Sequence, residues 1–240
     1  MRYKLTIAYD GSNYQGFQSQ KNGLGIQTVL EETLTKIAKE KVEVVASGRT
    51  DKGVHALAQV VHFDTNNKMI QTAWLKALNT YLPNDIVALD IELVDNSFHA
   101  RFSVCKKCYV YVIAKDYNLF RRYHETYIKY SLDFKLMVEA TQKLLGTHDF
   151  KGFGVYVENK PTIKTLYESK IEETDTHYIF TFIADGFLKY MVRSMVGTIV
   201  DIGRGKIELS VIDEILNHQN RTKVGKTATP EGLYLKQVWY

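Results

Sequence analysis

The ten residues from Ser47 to Ala56, Ser-Gly-Arg-Thr-Asp-Lys-Gly-Val-His-Ala, lie between two segments that both favour extended backbone. A β-branched run with Val42, Val44 and Val45 precedes them, and Gln59 to Phe63 reads as a second strand. Strand, polar loop and strand leave little freedom in how this region folds. Gly48 and Gly53 fall where a backbone needs positive φ or a close approach to a ligand. Between them is one carboxylate, Asp51, with Arg49 and Lys52 near it in sequence and His55 just beyond. Opposite charge favours the ionised carboxylate. That suits Asp51 to work as a nucleophile or base rather than as a general acid. On spacing alone, the same residues also describe a solvated turn with a weak surface ion pair.

The rest of the chain alternates strands and helices. Tyr3, Leu5, Ile7 and Tyr9 alternate with polar residues and predict an opening strand, which runs into the turn Asp10-Gly11-Ser12-Asn13. Leu30, Leu34, Ile37 and Ala38 predict a helix over 27–39; Ile70, Trp74, Leu78 and Tyr81 predict another that stops at Pro83. Leu89, Ile91 and Leu93 alternate as a further strand, and Tyr109 and Tyr111 share one face of the strand after Cys105. A helix from Ser131 or Asp133 ends at Gly146, and 162–172 with 177–183 form a hairpin. Asp185 is placed to cap a helix whose stripe is Leu188, Met191, Val192, Met195, Val196 and Ile199, with Lys189 and Arg193 on its flank. Ser210 caps a short helix through Leu216, with Asp213 as its box partner. This is an α+β pattern with no internal sequence repeat.

At 240 residues there is room for one large or two small domains, and we expect two, 1–104 and 105–240, divided near Ser103 to Lys106. A hydrophobic share of 45% and a charged share of 24% suit a globular protein in water. No apolar run reaches membrane-spanning length, so a cytoplasmic protein without a membrane partner is expected. The net charge of +4 permits a polyanionic partner, and the 16 tyrosines supply polar-tipped aromatic surface. Cys105 and Cys108 form a lone C-x-x-C; on a strand their side chains diverge, so neither a metal nor a redox role is expected. Gly203-Arg204-Gly205-Lys206 lacks the spacing and hydroxyl residue of a phosphate-binding loop.

Gly48-Arg49-Thr50-Asp51-Lys52-Gly53-Val54-His55-Ala56 resembles the signature loop of the TruA family of tRNA pseudouridine synthases, G-R-T-D-x-G-V-H-A, at every fixed position. The stretch from Tyr9 to Gln18 resembles that family's Y-D-G-x-x-Y-x-G-W-Q, with Phe17 in place of tryptophan. Further segments that resemble it are His99-Ala100-Arg101 with the Tyr109 strand, Gly146 to Phe150, Gly186 to Arg193, and Thr227 to Leu235. The chain departs from the pattern at Val110, Lys164 and Lys189, and Thr229 occupies a slot between Ala228 and Pro230.

The resemblance implies two similar α+β, ferredoxin-like halves that share a mostly antiparallel central sheet, with the active-site cleft between them. It implies an isomerase that turns uridine into pseudouridine at positions 38 to 40 of the tRNA anticodon stem-loop, bound by a homodimer. No cofactor or metal is expected, because the reaction has no net redox change or hydrolysis. Asp51 takes the role of catalytic carboxylate, Arg193 pairs with it, and Arg49 assists base extrusion. Tyr109 stacks on the uracil and receives the C5 proton. Arg101, Lys106, Lys107, Arg121 and Arg122 are candidates for contacts to the tRNA. Two rival functions remain open on the sequence: the same chemistry on another tRNA position or on ribosomal RNA, and an RNA-binding module without catalysis.

Overall fold

The computed structural model describes residues 1–18, 23–158 and 160–240. In chain order its strands and α-helices are β1 (Arg2–Tyr9), α1 (Ile26–Ala38), β2 (Val44–Ala46), β3 (His55–Asp64), α2 (Gln71–Tyr81), β4 (Ile86–Val94), β5 (Lys106–Ala114), β6 (Thr126–Tyr127), α3 (Phe134–Gln142), β7 (Gly146–Asp149), β8 (Ile163–Glu173), β9 (His177–Ala184), α4 (Met191–Gly203), α5 (Val211–His218) and β10 (Leu233–Trp239). They gather into two compact units, Met1–Cys105 with Tyr234–Tyr240, and Lys106–Leu233. Both are α+β, with mostly antiparallel strand pairing. Among the described residues, no helix is long and apolar enough to cross a membrane.

In the first unit β1 lies between β4 and β3, antiparallel to both. Its alternation places Tyr3, Leu5, Ile7 and Tyr9 on the buried face, as the period of two requires. Leu30 and Leu34 of α1 and Trp74 and Leu78 of α2 are buried with them. The Trp74 ring lies 5.8 Å from that of Tyr3 and 5.5 Å from that of Phe63. β2 folds back antiparallel on β3, so the Asp51 loop connects two paired strands. β10 runs parallel to β3 at its start, where Tyr234 faces His55. The last seven residues therefore belong with this unit, whereas the sequence division kept all of 105–240 together.

One expected face is interrupted. Leu89, Ile91 and Leu93 do not form a common buried row: Thr6 faces Asp90 and Ile7 faces Ala88, so Leu89 is bulged out of register with β1. Leu89 is exposed, and Ala88 and Ile91 are buried.

In the second unit β5, β9, β8 and β7 form an antiparallel series, and β6 adds to β5 in parallel. Met137 and Ala140 of α3 and Met195, Ile199 and Ile202 of α4 are buried with Phe180 and Phe182. Cys108 on β5 is buried and Cys105 is exposed. Asp133 caps α3, its Oδ1 accepting from Leu136 N–H at 3.1 Å.

Two expected caps are not formed. Ser210 makes no side-chain bond at the start of α5, and Asp213 instead accepts from Lys143 Nζ at 2.6 Å. Asp185 exchanges hydrogen bonds with Thr165, donating from its N–H and accepting at Oδ1, and so extends the β8–β9 pairing. Residues 186–190 form a connector ending in Tyr190 at φ +65°, and α4 begins only at Met191. Leu188 thus precedes the helix and packs on Gly154. Lys189 precedes it too, and shares with Arg193 the Tyr190 ring, at 5.0 and 5.3 Å.

Candidate active site

The Asp51 loop stands on a second loop. Residues 10–17 lie beneath it, backbone against backbone. A Cβ on Gly11 would meet the Val54 carbonyl oxygen at 2.1 Å, and one on Gly16 (φ +97°) would meet that of Thr50 at 2.7 Å. Only glycine fits such contacts. Phe17 N–H donates to Thr50 O at 3.1 Å, and Gly11 N–H donates to His55 Nδ1 at 3.1 Å. The under-loop is itself tied down, with Tyr14 Oη donating to Asp85 Oδ1 at 2.6 Å. Burial and that carboxylate push the Tyr14 phenol well up. The two most distinctive sequence segments are therefore one structural feature.

Buried side chains hold the loop from inside. Tyr9 Oη and Thr50 Oγ1 are 2.8 Å apart. Burial pushes the Tyr9 phenol up to about 12, against hydrogen bonds from Thr50 and Gln59 that lower it. Gln59, fully buried on β3, accepts from Ser47 Oγ at 2.6 Å and donates to Gly48 O at 3.0 Å. Gly48 does not have the positive φ that is one of its two readings; its carbonyl accepts from Gln59. Gly53 does have it, at φ +75°.

Asp51 is half-buried at the tip, and its carbonyl accepts from Val54 N–H at 3.1 Å. Arg49 and Lys52 are exposed and make no hydrogen bond or ion pair among the described residues. His55 is buried, stacked on Tyr234 at 4.7 Å, with Nδ1 3.1 Å from Asp10 Oδ1.

The other proposed groups belong to the second unit. Tyr109 on β5 is half-buried, with the Phe187 ring edge-on at 5.1 Å and 86°. Tyr111, on the same face, is buried; its hydroxyl lies 2.6 Å from Thr126 Oγ1 and donates to Thr229 O at 2.8 Å. Burial pushes this phenol up to about 12. Arg193, in the first turn of α4, donates from Nε to Ala228 O at 2.7 Å, and Ala228 N–H donates back to Arg193 O at 3.0 Å. The Nε bond fixes the plane of the guanidinium, whose terminal nitrogens carry the fork that suits a carboxylate. The closing segment lies this near because residue 197 is glycine: a Cβ there would meet Lys226 O at 1.9 Å.

The tRNA-contact candidates fall in both units. Arg101, in the first unit, is exposed beside the Phe102 ring. Lys106 and Lys107 open β5, half-buried. Arg121 and Arg122 are exposed on a turn with Phe120. Arg121 lies 3.8 Å from Glu125, and Arg122 lies over the Tyr123 ring at 4.2 Å. His148 and Asp149 serve turns: His148 Nε2 lies 2.9 Å from Leu145 O, and Asp149 Oδ1 accepts from Lys151 N–H. Sequence reasoning passed over Gln59. Its signal was a lone amide in an otherwise apolar run.

The tRNA pseudouridine synthase family model matches residues 5–103 and 140–240, which include Arg49, Asp51 and Arg193. The chain belongs to that family. Tyr109 lies outside the two matched ranges. The chain is 42% identical over 240 residues to tRNA pseudouridine synthase A of an Exiguobacterium species, covering 100% of this chain and 98% of the relative. It is 44% identical to the proteins of that name from Exiguobacterium sibiricum and Lactococcus lactis subsp. cremoris, again over 100% of this chain and over 96% and 97% of theirs. As a pseudouridine synthase, the chain is an isomerase, and full-length similarity removes the sequence rival of a binding module without catalysis.

Proposed function

We propose that this synthase acts on uridines 38 to 40 in the anticodon stem-loop of tRNA, as a cytoplasmic homodimer, with Asp51 as its catalytic carboxylate. The reaction breaks the C–N glycosidic bond, turns the uracil and joins its C5 to the ribose. Since the target is stacked in a stem, the nucleotide must first be extruded, at a cost of a few kcal/mol. Arg49, exposed and unpaired among the described residues, is suited to fill the vacated position. Tyr109 offers a ring face for the extruded uracil and a phenol for the C5 proton. Arg193, its plane fixed by Ala228, keeps Asp51 ionised and aimed. Asp51 then either attacks the sugar or base directly or removes the ribose C2′ proton. Lys106, Lys107, Arg101, Arg121 and Arg122 supply phosphate contacts.

The observation that carries this reading is the Asp51 loop: a lone carboxylate at the tip of a backbone clamped by Gly11, Gly16, Tyr9 and Gln59. A solvated turn needs no such support; a group that must meet a sugar to within a fraction of an ångström does. Mapping by carbodiimide treatment and primer extension in a deletion strain tests the target. Loss of pseudouridine at 38 to 40, restored by the gene, is expected; intact modification there would transfer the activity to another RNA position.

A further inference from the structure

Resting on the assignment of Asp51 as the catalytic carboxylate, we infer that Gln59 is a positioning residue for it, acting through the backbone of Gly48 and the hydroxyl of Ser47. The Gln59 side chain bonds Ser47 and Gly48, on the approach to Asp51. It lies on β3, opposite the start of the loop and fully buried, where a carboxamide without partners would be strongly unfavourable.

Its hydrogen-bonding capacity is directed at the loop. Nε2 donates to Gly48 O at 3.0 Å, and Oε1 accepts from Ser47 Oγ at 2.6 Å and from Val60 N–H at 3.2 Å. Further along the loop, the Tyr9 phenol lies 2.8 Å from Thr50 Oγ1. Gln59 thus grips residues 47 and 48 and Tyr9 grips residue 50, the limb that delivers Arg49 and Asp51. A strand of this unit needs no polar residue here for its own pairing; an apolar side chain of equal size would fill the volume. The donor–acceptor asymmetry of a carboxamide is what the site uses, since Gly48 O needs a donor and Ser47 Oγ an acceptor.

The decisive variant is Gln59→Glu, which keeps shape and acceptor but turns a carboxylate oxygen toward the Gly48 carbonyl. A misplacement of about 1 Å costs about 100-fold in rate, so single-turnover tritium release from 5-labelled uridine in tRNA should fall by about that factor at pH 8. A buried carboxyl is protonated more readily than a free one, and the protonated acid regains a donor toward Gly48. The deficit should therefore shrink to about tenfold or less at pH 6, with RNA affinity unchanged at both values. A folded variant with the parent rate, a deficit equal at the two pH values, or a parallel loss of RNA affinity would overturn the proposal. Should Gln59→Glu not fold, Ser47→Ala takes its place, with about a tenfold slower single turnover expected and a parent rate contradicting it. Asp51→Asn measured alongside separates the two ideas. If it turns over normally, the catalytic assignment fails; if it is inactive while Gln59→Glu is normal, only the positioning role fails.

Discussion

Tyr9 and Tyr111 occupy comparable situations in their separate units: each is a buried phenol whose hydroxyl ties down a loop, the one that bears Asp51 for Tyr9 and the one whose Ala228 holds Arg193 for Tyr111. Both phenols are pushed up to about 12. An acid whose folded pKa exceeds its unfolded value of about 10 contributes stability that is fully present below pH 10 and lost as pH rises through the folded value. Between about pH 10 and 12 each tyrosine should therefore cost the fold about 1.4 kcal/mol per pH unit. Urea unfolding at pH 8 and pH 11 checks this: Tyr111→Phe should be less stable than the parent at pH 8, yet lose less on going to pH 11. Equal losses would contradict the role given to burial. At this scale the sequence singles out candidate reactive groups and says little of their supports. Asp51 could be picked out because a charge between glycines is conspicuous. Gln59 stands out only as a lone amide in an apolar run, and a strand pattern does not say where that amide's hydrogen bonds go.

Elements were legible wherever one period governed them. The alternation of β1 and the stripe of α1 reappear almost residue for residue, because each buries a single face. The failures share a cause, tertiary contacts overriding a local pattern. The apolar spacing from Leu188 continues smoothly into α4, yet Leu188 packs on Gly154 and Asp185 pairs with Thr165, so the helix starts late. The bulge at Leu89 moves the face of β4 by one residue. Gly197 shows the same competition quantitatively. Alanine in a helix interior is favoured over glycine by about 1 kcal/mol, but a Cβ there collides with the carbonyl of Lys226. Overpacking against backbone costs about 1–3 kcal/mol. Gly197→Ala should therefore lower the urea midpoint and, by pushing Ala228 away from Arg193, slow turnover. A raised midpoint would show that propensity prevails and that the closing segment is not held on α4.

For the molecule as a whole, the groups proposed for the reaction are divided between the two units. Asp51 and Arg49 belong to one unit, Tyr109 and Arg193 to the other, and the last strand returns to the first unit by pairing with β3. That return was invisible in the sequence, since a terminal β-pattern carries no label for its partner. Family membership, in contrast, was written in short segments, because a loop held by backbone contacts tolerates few substitutions. We propose that one carboxylate, Asp51, performs the isomerisation. This role is tested by tritium release from 5-labelled uridine in unmodified tRNA, comparing the parent protein with Asp51→Ala, with RNA affinity and thermal unfolding measured on the same samples. No release by the variant is expected, with affinity and unfolding temperature close to those of the parent. Release at the parent rate from a folded Asp51→Ala protein would contradict it.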